Sequence, residues 1–283
     1  MRYRIPRVLG TALLSALCST TVSGQGAAPP VAEPPPALQD NSFLLEEAYN
    51  QGRGIVQHIF VFELPRASRA IGIEFEQEWP APSMTHQLSY TIPLARGDTD
   101  GEGFFLGDVE LAYRYQLLGE ANPRVALAPK IGLSIPTGDW KKGQGAGAPG
   151  IEVRLPLSVV LTERVFSHSN LASAFVPRAR NASGERATLS SYLAGQSLIF
   201  AAHPNLHLML EAVWARTTEV TGPGDTTPER SFVISPGLRG AINFRSGLQI
   251  VPGIAIPIGV GPSSGERSVL LYLSLEHPFR KQN

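Results

Sequence analysis

The sequence predicts an all-β protein, an antiparallel transmembrane β-barrel of about twelve strands preceded by a short N-terminal segment. Three observations predict it. Apolar and polar residues alternate with period two in runs that recur from Ile55 to Phe279. The runs are near ten residues each, the length a tilted membrane-crossing strand needs, whereas soluble strands average about five to six. Short connections alternate with long ones, as in barrels whose turns face the periplasm and whose loops face outward.

The stretch from Gly107 to Gly138 shows the pattern twice around a turn. Val109, Leu111, Tyr113, Tyr115 and Leu117 alternate with Asp108, Glu110, Ala112, Arg114 and Gln116. After Gly119 and Asn122-Pro123, Val125, Leu127, Pro129, Ile131, Leu133 and Ile135 alternate with Ala126, Ala128, Lys130, Gly132 and Ser134. Period two puts each set on one face, which makes a hairpin with one apolar and one polar side. These two strands, GDVELAYRYQLLGE and ALAPKIGLSIPTGD, resemble the central repeat of the meta-pathway of phenol degradation family. Asn41 to Ile59, NSFLLEEAYNQGRGIVQHI, resembles that family's opening motif. The resemblance implies an outer-membrane transporter-like barrel, and the family's name implies a link to aromatic or hydrophobic solutes.

Composition gives little, for a physical reason. The 283 residues are 43% hydrophobic and 17% charged, with 24 basic against 24 acidic residues. A wall with one face to lipid and one to water averages to ordinary hydropathy. Zero net charge without a basic cluster argues against nucleic-acid binding.

At the N-terminus, Arg2, Arg4 and Arg7 precede the apolar run Val8 to Leu17, and small residues follow at Val22-Ser23-Gly24. Residues 1–24 therefore read as a secretory signal peptide, too short in its apolar run to span a membrane as a helix. Leu17 is too bulky for the usual lipoprotein cleavage before Cys18, and cleavage after Gly24 leaves a mature chain without cysteine. Residues 25–40 are a Pro/Ala-rich linker that cannot form a core. Residues 41–53 hold Phe43, Leu44, Glu46, Glu47 and Tyr49 and are expected to make about two helical turns. They form either a plug in the barrel mouth or a periplasmic tether, and the sequence leaves both open.

The barrel itself is expected over 54–279, with strands near 55–64, 70–79, 86–95, 107–118, 124–135, 151–162, 166–177, 189–201, 205–216, 230–243, 247–258 and 267–279. Outward stripes are clearest at Leu88/Tyr90/Ile92/Leu94, at Ile151/Val153/Leu155/Leu157/Val159/Leu161, and at Leu248/Ile250/Pro252/Ile254/Ile256/Ile258. Long outer connections are expected at Arg96–Gly107, Pro136–Gly150, Arg178–Thr188, Thr217–Arg230 and Gly259–Glu266. Prolines at 93, 129, 156, 236, 252 and 257 fall inside strands, where each removes a ladder donor, and bulges are expected there. The last strand ends on Phe279, which resembles the terminal aromatic read by the outer-membrane assembly machinery.

Carrying the alternation inward assigns Glu63, Glu74, Glu76, Glu78, Asp108, Glu110, Glu152, Glu211 and Glu276 to the lumen against Arg114, Lys130, Arg154 and Arg239. They are either a network of cross-strand ion pairs that holds the interior in shape or an acidic permeation path favouring cations and hydrogen-bonding neutral solutes. No enzyme is expected. Adjacent strand residues face opposite ways, so His168 cannot act with Ser167 or Ser169. His203 and His207 would lie about 13 Å apart in a strand, too far for one metal. No catalytic residue, metal or cofactor is expected. The expected partners are outer-membrane lipid, the outer-membrane assembly machinery and a small-molecule solute. The function expected is an outer-membrane channel or transporter passing small solutes by passive diffusion; the alternative is a non-conducting structural or surface-interaction barrel.

Overall fold

The structure is a computed structural model and describes residues 38–97, 103–119 and 124–279. The predicted signal peptide, most of the predicted linker and residues 98–102, 120–123 and 280–283 lie outside the described residues. No helix among those described is long and apolar enough to cross a membrane. The chain crosses with strands instead.

Sixteen strand segments follow in order: β1 Ile55–Pro65, β2 Ile71–Pro80, β3 His86–Arg96, β4 Phe105–Leu106, β5 Val109–Tyr115, β6 Val125–Leu127, β7 Lys130–Ile135 and β8 Gly150–Thr162. After them come β9 Val165–Arg180, β10 Arg186–His203, β11 Leu206–Gly222, β12 Asp225–Gly240, β13 Ile242–Asn243, β14 Gln249–Ala255, β15 Ile258–Gly259 and β16 Ser268–Pro278. Four crossings are broken in two, namely β4/β5, β6/β7, β12/β13 and β14/β15, so the segments make twelve crossings. Each pairs antiparallel with its neighbours, and β1 pairs with both β2 and β16, which closes the sheet. Closure leaves no free edge, the condition for a sheet to sit in lipid.

The burial pattern is inverted relative to a soluble sandwich. Leu133 is 50% exposed and Leu171 60% exposed on the outer wall, while Arg114 and Glu211 on the inner wall are 2% and 0% exposed. Leu88, Ile151, Leu155, Leu161, Ile254 and Ile256 of the predicted outward stripes are likewise exposed on the outer wall. Tyr90, Trp79, Phe75, His86, Tyr113 and Tyr115 contact one another in aromatic pairs on the outer face, toward the end of the barrel where β1 begins. Such a band matches an interfacial girdle.

Three expectations need correction. First, two of the outer connections predicted to be long are hairpins: only 181–185 separate β9 from β10, and only 223–224 separate β11 from β12. The polar run from Thr217 to Arg230 extends the ladder, pairing Thr217 with Glu229 and Glu219 with Thr227. In water, polar residues on both faces of a strand cost nothing, so the loss of alternation marked the membrane's edge and not the strand's end.

Second, the prolines at 93, 129, 156, 236, 252 and 257 do not sit at bulges. Register shifts fall at Val160/Thr162, Ala187/Leu189, Ala201/His203 and Val220/Gly222. Instead Pro129 separates β6 from β7, and Pro257 separates β14 from β15. Each break faces a proline in the neighbouring strand: Ala128 donates to the Pro156 carbonyl at 3.2 Å and Ile256 to that of Pro236 at 2.9 Å. Missing donors are thus concentrated at two seams of the wall.

Third, residues 41–53 contain no helix. The segment runs extended with bends at 43–45, because its backbone donors are taken by wall side chains.

Candidate functional site

The lumen segment, residues 38–51, is built into the inner wall. Leu44 N–H donates to Glu211 Oε1 at 3.0 Å, Glu46 N–H to Asn170 Oδ1 at 3.0 Å, and Ala48 N–H to Ser158 Oγ at 2.8 Å. Asn50 N–H donates to Gln116 Oε1 at 2.8 Å and Gln51 N–H to Gln87 Oε1 at 2.7 Å. In the other direction Arg114 donates to the carbonyls of Glu47 and Tyr49 at 3.1 and 2.7 Å, and Arg239 to those of Asp40 and Asn41. These partners come from β3, β5, β8, β9, β11 and β12, so the segment spans the lumen instead of hanging beneath it. An extended chain with no strand partner has its buried amides satisfied by side chains or by water, and here side chains supply the partners.

Apolar side chains of the segment enter depressions in the wall. A β-carbon at Gly253 would lie 2.5 Å from the Phe43 ring, one at Gly237 also 2.5 Å from it, and one at Gly195 2.5 Å from Leu45. Only glycine leaves the wall open enough for Phe43 and Leu45 to reach it. Phe43 meets Tyr272 edge-on at 5.8 Å and, with Leu38, joins Ile59, Met209 and Leu270 in a buried cluster. Burying a side chain of this size is worth about 1.5–3 kcal/mol.

Charge converges on Glu46. Its carboxylate lies 2.9 Å from Lys130 Nζ, 3.3 Å from Arg154 Nε and 3.6 Å from Arg114 Nη1. Burial alone would raise its pKa, but Lys130, Arg154 and Arg114 hold it down to about 2. Lys130 also meets Glu76 at 3.2 Å, Arg114 meets Glu78 at 3.8 Å, and Arg154 meets Glu152 at 2.8 Å. Beside this cluster Glu47 is buried without comparable compensation, and burial together with Asp40 pushes it up to about 8.

The other predicted lumen residues fall into three groups. Glu74 on β2 is exposed to the lumen, and Glu63, Glu110 and Glu276 are partly so. Glu211 and Arg239 are consumed by the segment's backbone. Asp108 is spent on an outer loop, accepting from Gly138 N–H at 2.9 Å and Ala146 N–H at 2.7 Å. Of the segment's named side chains, Phe43 and Glu46 carry its main contacts, while Leu44 packs only at the margin of the clusters.

Sequence reasoning counted charges and missed the neutral residues that hold the segment: Gln87, Gln116, Ser158, His168, Asn170 and Ser197. Ser42 Oγ donates to Ser197 Oγ at 2.9 Å and lies 3.3 Å from His168 Nδ1. All six fall on the inward phase of their strands, which was the available signal. Nothing in it showed what they would bind.

A lipid-facing wall around a charged, segment-filled lumen defines an outer-membrane-type β-barrel. The chain is similar in fold to the crystal structure of an outer-membrane channel from Pseudomonas putida, with a TM-score of 0.60 at 14% identity over 81% of this chain and 97% of that one. It is also similar to the NanC porin, with a TM-score of 0.50 at 7% identity over 78% of this chain and 98% of that one. No protein-family model matches the sequence, and no curated protein does. The likeness is one of fold, and the phenol-degradation resemblance rests on its two motifs.

Proposed function

We propose that this protein is an outer-membrane channel passing small solutes by passive diffusion, and that residues 38–51 are its plug. One observation carries the reading: the strand ladder of the wall closes without the segment, which among the described residues is held through side chains. Such a segment can leave while the barrel stays folded. Exposed Glu74 and partly exposed Glu110 then line a water-filled path with negative charge, which favours cations and hydrogen-bonding neutral solutes over anions. The signal peptide delivers the chain to the periplasm, and Phe279 serves recognition by the assembly machinery. The family resemblance suggests aromatic solutes among those carried.

A planar-bilayer recording of the full chain under a salt gradient tests this. The expected result is a small, cation-preferring conductance with intermittent openings. Anion preference would overturn the acidic-path reading. The burial of Phe43 and Glu47 favours a second reading, a non-conducting barrel that uses its segment as a permanent core; it predicts no conductance with or without that segment.

A further inference from the structure

On the outer face, where the first and last strands close the barrel, His58 of β1 and His277 of β16 lie together. The ladder pairs Val56 with His277 and His58 with Leu275, so the two histidines are diagonal neighbours. Their Nε2 atoms are 3.1 Å apart and the rings are near-parallel, with centroids 5.2 Å apart and 25° between planes. Two nitrogens this far apart, each about 2.0–2.1 Å from a shared ion, subtend an angle of roughly 100° at it, between the square-planar and tetrahedral values.

Two further features favour coordination. His277 Nδ1 lies 3.1 Å from the Pro278 carbonyl oxygen. An N–H donated there places the proton on Nδ1 and leaves the Nε2 lone pair free, the arrangement that orients metal-bound imidazoles. Phe75 stacks on the His58 ring at 6.2 Å and 11°, restraining it. Both histidines are partly exposed at the barrel end that carries the start of β1 and the end of β16. His58 stacks on Phe75 of the aromatic band, which places the site at the membrane interface, where water reaches it.

We propose that His58 and His277 form a two-histidine site for a borderline divalent cation such as Cu²⁺, Ni²⁺ or Zn²⁺, clipping the closing seam of the barrel. Among the described residues no group of three potential ligands surrounds it. Water fills the remaining positions, which makes the site exchangeable. The 219 positions separating the two residues in sequence hid the pair; only closure of the sheet brings them together. Without metal, the same two nitrogens share one proton in a hydrogen bond, so metal and proton compete.

The test uses tag-free protein in detergent, stripped with a chelator and titrated with Cu²⁺. The expected result is one saturable equivalent per barrel with an electron-paramagnetic-resonance signature of two nitrogen ligands. His58→Gln and His277→Gln should each weaken binding by about tenfold or more, while His86→Gln should leave it unchanged. Zn²⁺ should raise the temperature at which the folded band is lost on a gel in the native chain and not in the double variant. Binding that persists in a folded double variant, or no saturable binding by the native chain, overturns the proposal.

Discussion

Lys130 Nζ and Glu46 Oε1 lie 2.9 Å apart, the base on wall strand β7 and the acid on the segment that crosses the lumen. Because Arg114 and Arg154 face the same carboxylate, neutralising it takes one acid from three bases at once and leaves them only Glu78, Glu152 and, for Lys130, Glu76. Removing one partner of a buried pair costs about 3–5 kcal/mol. Glu46→Gln is therefore expected to loosen the segment without unfolding the wall. Open-channel conductance should rise several-fold while heat-modifiable gel mobility stays native, and an unchanged conductance would count against the segment as gate.

Gly253→Val places a branched side chain where the Phe43 ring lies, since even a β-carbon would approach it to 2.5 Å. The ring must withdraw, giving up about 1.5–3 kcal/mol of burial. Limited proteolysis of the folded variant should cut near Phe43 where the native chain resists. Phe43→Ala should have the same effect, and the two changes combined should be less than additive because they remove one contact.

Leu155 is exposed on the outer wall, whereas neighbouring Arg154 is bound to Glu152 and Glu46 inside. Leu155→Arg sets a base against lipid, at about 2–4 kcal/mol near mid-depth, and should impair assembly. Arg154→Leu should assemble and instead free the segment. Equal assembly defects in both would contradict the assigned faces.

How much of this was legible follows from the range of each interaction. The faces at Arg154 and Leu155 are a local property of alternation, and they read directly from sequence. The breaks at Pro129 and Pro257 were half legible: the missing donors were visible, but their pairing with Pro156 and Pro236 depends on register. Thr217 to Arg230 was misread because a strand leaving the membrane loses its apolar stripe without ending. The three bases on Glu46 and the contact of His58 with His277 were not legible, since each needs residues brought together by closure of the barrel. Residues 41–53 lost their expected helix to that same closure, which supplied wall acceptors in place of intrahelical ones.

Seating of the segment should depend on pH through Glu47, whose pKa burial and Asp40 push up to about 8. A raised carboxyl pKa means the folded state prefers the protonated form. Its favourable contribution is complete below about 4.5 and is lost as pH rises toward about 8. Conductance should therefore increase from pH 5 to pH 9 in the native chain. Glu47→Gln should flatten that rise, and a rise of the same size in the variant would remove Glu47 from the explanation.

The most direct measurement is the single-channel conductance of a variant lacking residues 38–51, reconstituted in a planar bilayer after its folded state is confirmed. The wall's ladder does not include these residues, so the variant is expected to fold and to conduct more than the full chain. It should prefer cations, and that preference should fall when Glu74, Glu76 and Glu78 are all changed to Gln. A folded deletion variant that passes no ions would contradict the channel reading and leave a structural barrel.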